Sequence, residues 1–81
     1  MTEIRKKIYE IIEETKLRSV PVNDCSNLYT DLGYDSLGFV SLLLTIEKDF
    51  SIEFELMEME SCLQVGKLVA LAEDKMRRMY A

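Results

Sequence analysis

Apolar residues recur with the period of a helix over three stretches of this chain. In the first, Ile4, Ile8, Ile11 and Ile12 fall at i, i+4, i+7 and i+8, one face of a helix. Lys6, Glu10, Glu13 and Glu14 mostly lie elsewhere, so the spacing predicts a structural helix from Thr2 to about Leu17 with a solvated outer side. In the second, Phe39, Leu42, Leu43, Ile46 and Phe50 form the core stripe of a helix from Ser36 to about Asp49 or Phe50. In the third, Val65, Leu68, Val69, Ala72 and Met76 share a face opposite Lys67, Asp74 and Arg77. Ser61 with Gln64 three residues later matches a capping box, which starts this last helix at Ser61 and runs it to about Arg78. Lys75, Arg77 and Arg78 suit its negative end.

The periodicity fails from Arg18 to Asp35, where Pro21 and the cluster Asn23, Asp24, Ser26, Asn27 read as loop. Leu28 and Leu32 are its expected anchors, spaced to allow one helical turn folded back on the core. Val20-Pro21-Val22 alternates but has no partner strand. After the second helix, Ser51 to Phe54 reads as an extended connector with Ile52 and Phe54 pointing inward. Leu56 to Glu60 makes a short helix in which Met57 and Met59 are adaptable fillers, either of the core or of a pliable wall for a guest chain. The pattern therefore predicts an all-α fold: a four-helix bundle of three main helices and a short one, with a long loop between the first two.

The second helix has more apolar positions than a domain with one core needs. Leu37, Val40 and Leu44 fall at i, i+3 and i+7 on a face of their own. Either the preceding loop covers them or they are a docking face for another protein.

Composition narrows the classes of function. With 81 residues the chain makes one small domain, residues 1–81, and at 48% apolar it needs neither metal nor disulfide to build a core. It has no histidine, which removes the usual base for a serine or cysteine nucleophile and the commonest zinc ligand; an autonomous enzyme is not expected. No apolar run approaches membrane-spanning length, and the charged start MTEIRKKIYEIIEE is not a signal peptide. A cytoplasmic monomer is expected. Cys25 and Cys62 lie outside any ligand spacing, so free thiols are the simpler reading, with a disulfide open. Asp31, Asp35 and Glu47 do not make a calcium loop, because the sixth and twelfth positions from Asp31 hold Ser36 and Leu42; no metal site is expected.

The net charge of −5 is uneven: residues 1–23 sum to +1, residues 24–60 to −8 and residues 61–81 to +2. An acidic middle repels nucleic acid and suits partners with basic patches. General solubility accounts for it equally well.

Ser36 lies within that acidic segment, in the string Asp31-Leu32-Gly33-Tyr34-Asp35-Ser36-Leu37 that opens the second helix. Gly33 gives the freedom a tight turn needs. Asp35 stands at the N-cap, able to accept from the N–H of Leu37 or Gly38. Ser36 follows as the first helical residue, with its hydroxyl at the positive end of the dipole. The whole string, with the long apolar helix ending in Glu47-Lys48-Asp49-Phe50 and with Val65-Gly66-Lys67-Leu68-Val69 near the end, resembles the acyl carrier protein family over nearly the full chain.

The resemblance implies that Ser36, flanked by Asp35 and Leu37, carries a 4′-phosphopantetheine arm. It implies that a phosphopantetheinyl transferase takes that arm from coenzyme A. The thiol of the arm would hold acyl groups as thioesters for the acyl-loading and acyl-processing enzymes of fatty acid, polyketide or related biosynthesis. An aminoacyl or peptidyl carrier of nonribosomal peptide synthesis stays open, as does a helical interaction module without cofactor. Leu37, Val40, Ser41, Leu44, Glu47 and Lys48 are the expected docking residues. Fatty-acid carriers usually hold acids at the second and fifth positions after the serine, where this chain has Gly38 and Ser41. Phe39, Ile46, Phe54, Met59 and Cys62 are expected to line a gap for cargo between the second and third helices.

Overall fold

The computed structural model describes residues 3–80. Its helices are α1 (Glu3–Thr15), α2 (Ser36–Phe50), α3 (Leu56–Ser61) and α4 (Val65–Tyr80). Among the described residues there is no strand; the loop after α1 makes one isolated antiparallel bridge, Asn27 to Gln64. The fold is thus the all-α bundle that the pattern predicts. The expected first residue of α1, Thr2, lies outside the described residues.

α1 stops at Thr15, two residues before the expected Leu17. The Thr15 hydroxyl donates back to the Ile11 carbonyl at 2.9 Å. The N–H groups of Leu17 and Arg18 then turn away to the Leu32 carbonyl, at 3.2 and 3.3 Å. The loop thus takes over the donors that a longer helix would use.

The core is built as the three stripes require. Ile8 and Ile12 of α1, Leu42, Leu43 and Ile46 of α2, and Val65, Leu68, Val69 and Ala72 of α4 are buried together. Phe50 and Met76 only pack against this cluster. The loop contributes as much as a helix would: Leu28 and Leu32 are fully buried and Tyr34 nearly so. Its single turn is fixed locally. The Asn27 side chain accepts from the N–H groups of Tyr29 and Thr30, at 2.9 and 3.0 Å. The Asp31 carboxylate accepts from the Asn27 N–H at 2.7 Å. Gly33 closes the turn at φ 85°, a left-handed backbone that other residues adopt only with strain.

The other half of the loop caps α4. The N–H groups of Val65 and Gly66, which have no partner inside their own helix, donate to the carbonyls of Ser26 and Asp24 at 3.0 and 2.9 Å. A side chain at Gly66 would put its Cβ 3.0 Å from that Asp24 carbonyl oxygen, tighter than ordinary contact, so the loop would have to draw back to admit it. The capping box expected at Ser61 and Gln64 is therefore not formed. Ser61 instead ends α3 and its hydroxyl donates to the Glu58 carbonyl at 3.0 Å. Asp24 is also tied to α1, where its carboxylate accepts from both Arg5 and Tyr9. Those hydrogen bonds hold the Asp24 carboxyl below its usual range. Burial and the same contact push Tyr9 up to about 12.

Past α2, Ser51 takes a left-handed cap at φ 55°, and Ile52 and Phe54 turn inward and are buried, as expected. Cys25 is exposed and Cys62 buried, and both are free thiols.

Candidate functional site

The first turn of α2 fixes Ser36. Asp35 precedes it in an extended conformation, and its carboxylate accepts from the Gly38 N–H at 2.7 Å. The Asp35 carbonyl accepts the first intrahelical bond, from Phe39, at 2.8 Å. Upstream, the Tyr34 side chain is buried, with its hydroxyl against Thr15 and the Ile12 carbonyl. The turn is thus anchored one residue before the cap. Ser36 itself is exposed.

Gly38 fits closely under the cap. A Cβ there would lie 3.1 Å from an Asp35 carboxylate oxygen and 3.3 Å from the Tyr34 ring. An acidic side chain at this position would crowd the cap that presents Ser36.

Ser36 stands on the wall of an apolar cleft of about 390 Å³, between α2 and α3. Phe39 and Val40 of α2, Leu56, Met59 and Glu60 of α3, and Tyr29 and Leu63 from the flanking segments complete the lining. The Tyr29 and Phe39 rings meet at 5.4 Å, tilted by 55°. The expected gap exists but lies nearer the serine than the sequence suggests. Of its five expected lining residues, Phe39 and Met59 are there, while Ile46, Phe54 and Cys62 are packed into the core. Burial pushes the Cys62 thiol up to about 11 and keeps it protonated. Sequence reasoning misses Tyr29, Leu56, Glu60 and Leu63. The one available signal is that Leu56 and Leu63 are apolar residues at the start of a short helix and just past its end.

The second apolar stripe of α2 is not covered by the loop. Leu37 is 79% exposed, Val40 43% and Leu44 56%. Ser41 and Lys48 are exposed beside them and Glu47 is half-buried. Glu47 also acts locally, since its carboxylate accepts from the Phe54 N–H at 2.7 Å and holds the connector. Leu44, Glu47 and Lys48 line a second, shallow groove with Ile52, Glu53 and Phe54. Across the cleft, Leu56 and Met57 of α3 are 75% and 81% exposed. Met57, expected in the core or in a pliable wall, is in neither and faces solvent, while Met59 takes the wall position.

A family profile described as "Phosphopantetheine attachment site" matches residues 6–72. That match places the chain among carriers of a covalently bound 4′-phosphopantetheine, which work with a phosphopantetheinyl transferase and acyl-handling enzymes rather than as enzymes themselves. An acyl carrier protein of Prochlorococcus marinus is 36% identical over 74 residues, 90% of this chain and 92% of the relative. One of Amoebophilus asiaticus is 36% identical over 78 residues, 94% of this chain and 96% of the relative. One of Helicobacter pylori is 33% identical over 64 residues, 79% of this chain and 82% of the relative. The chain belongs to the acyl carrier protein family. Among the described residues no helix is long and apolar enough to cross a membrane.

Proposed function

We propose that Ser36 is the residue that carries the arm, flanked by Asp35 and Leu37, and that the cleft beside it receives an aliphatic acyl chain. One observation supports this reading above the others: the exposed hydroxyl and the apolar cleft share a wall. The residues present fit the group. The Ser36 hydroxyl is exposed to a transferase, and it stands at the first residue of α2, where the positive end of the helix favours a phosphate. Asp35 holds that turn in place, and Phe39, Met59 and Leu63 give the cleft its apolar lining. When bound, the arm supplies a terminal thiol on which an acyl group is held as a thioester.

An apolar cleft favours an acyl cargo of fatty acid, polyketide or related specialised biosynthesis over an aminoacyl or peptidyl one. A buried methylene contributes about 0.8 kcal/mol before ordering costs, whereas an ammonium would lose hydration against a lining in which Glu60 is the one charged side chain. Leu37, Val40, Ser41, Leu44, Glu47 and Lys48 form the docking surface. With Gly38 and Ser41 where fatty-acid carriers usually hold acids, apolar contact carries most of the docking, and the partners are a dedicated set. Residues 1–81 act as one carrier domain, as a monomer in the cytoplasm.

The test is intact mass after incubation with coenzyme A and transferases of differing specificity. The wild-type chain gains one phosphopantetheine and Ser36→Ala gains none. An unchanged wild-type mass, or a gain on Ser36→Ala, refutes the assignment.

A further inference from the structure

α3 walls the cleft but has no buried residue of its own. Leu56, Met57, Glu60 and Ser61 are exposed, and Met59 is only partly buried. A segment with so little apolar burial has little to hold it closed. Among the described residues, one polar side-chain contact leaves α3 for another helix. Lys75 of α4 meets the Glu58 carboxylate at 2.7 Å, with both side chains mostly screened from solvent. The same Glu58 oxygen accepts from the Glu55 N–H at 2.8 Å and so closes the first turn of α3. The Lys75 ammonium also sits 5.9 Å from the centre of the Phe54 ring, in the connector that leads into α3. One α4 side chain thus holds both the helix and the segment before it. The contact holds the Glu58 carboxyl below its usual range.

We propose that the Glu58–Lys75 pair positions α3 as a wall of the cleft and thereby sets how long an acyl chain the cleft accepts. Neither residue lines the cleft. They act through Met59, the neighbour of Glu58, and through Leu56, one turn earlier on the same short helix. The inference rests on the reading that the cleft takes the cargo. It goes beyond that reading by naming residues that select the cargo without touching it.

Lys75→Met keeps the apolar stem over Phe54 and removes the ammonium; Lys75→Arg restores a cation. Amide exchange on the unloaded protein reads the pair directly. In Lys75→Met the amides of α3 should exchange about tenfold faster, with α1 and α2 unchanged and Lys75→Arg close to wild type. The proteins are then loaded at Ser36 from butyryl-, octanoyl- and dodecanoyl-coenzyme A and melted. The wild-type gain in melting temperature should level off at a shorter chain than that of Lys75→Met. Unchanged α3 exchange, or an equal rise in every helix, overturns the proposal. So does levelling off at the same chain length in both proteins. A wild-type protein whose melting ignores chain length refutes the cargo reading itself, and that result needs no variant.

Discussion

At the scale of single residues, Asp35 and the two cysteines show how local geometry decides chemistry. Asp35 satisfies one of the free donors at the start of α2 through its bond to Gly38. Asp35→Ala should therefore lower stability by about 1 kcal/mol, and Asp35→Asn by much less, since asparagine caps nearly as well. Thermal unfolding of the apo protein checks both. Cys25 is exposed, while Cys62 is buried with its thiol raised to about 11. A thiol reagent near neutral pH should label the native chain once, at Cys25, and the denatured chain twice, because the thiolate is the reactive form. Peptide mapping of the labelled protein decides this.

At the scale of elements, α2 has two apolar faces, one buried and one exposed. Leu43 is fully buried and Leu44, the next residue, is 56% exposed. Leu43→Ala should cost about 2–5 kcal/mol by leaving a cavity in the core. Val40→Asp and Leu44→Asp should leave the melting temperature nearly unchanged and cripple docking to the acyl-processing enzymes. That docking should respond little to salt, because exposed ion pairs are worth only about 0–1 kcal/mol each and the stripe itself is apolar. Paired measurement of melting and of partner affinity separates the two faces. Affinity that falls steeply with salt would count against an apolar docking surface.

The same helix explains how far the sequence can be read. Both stripes of α2 are legible because each recurs on successive turns, and the Asp35 cap is legible because it is encoded within a few residues. Ser36 as an attachment site is read only from the resemblance of the whole string, since a serine after a capping aspartate is by itself ordinary. α3 and the start of α4 are not legible. Ser61 and Gln64 satisfy the pattern of a capping box, but the donors of α4 are taken by the Ser26 and Asp24 carbonyls, about forty residues upstream. No local pattern encodes a contact of that range. The cleft lies closer to Ser36 than expected for a related reason: Phe54 and Cys62 are apolar enough to line it, but the core takes them first. The Arg5–Tyr9–Asp24 cluster leaves no signal beyond three ordinary polar residues.

For the molecule as a whole, ionisation sets the limits of stability. Asp24, Glu58 and Asp74 are held below their usual ranges, chiefly by Tyr9, Lys75 and Arg78 respectively. A carboxyl depressed in the folded state stabilises above its unfolded pKa, and that contribution is lost as pH falls through the folded value. Tyr9 and Cys62 run the other way. Each contributes fully below its ordinary value. That contribution is lost as pH rises from 9.0 to about 11 for Cys62 and from 10.0 to about 12 for Tyr9. With no histidine in the chain, stability measured by denaturant unfolding should be flat across neutral pH. It should fall below the carboxylate range and again above about pH 9. A marked change between about pH 6 and 8 would contradict this assignment of charges.

The contacts from Asp24, Ser26 and Leu28 to residues 63–66 also order events during synthesis. Leu28, Leu32 and Tyr34 anchor the turn that presents Ser36, and they are buried with Val65, Leu68 and Val69. A ribosome therefore releases the serine well before it releases the residues that complete the serine's support. On a nascent chain the hydroxyl is present without its setting. A transferase that reads the folded turn would leave such a chain unmodified, so the arm would mark chains that have finished folding.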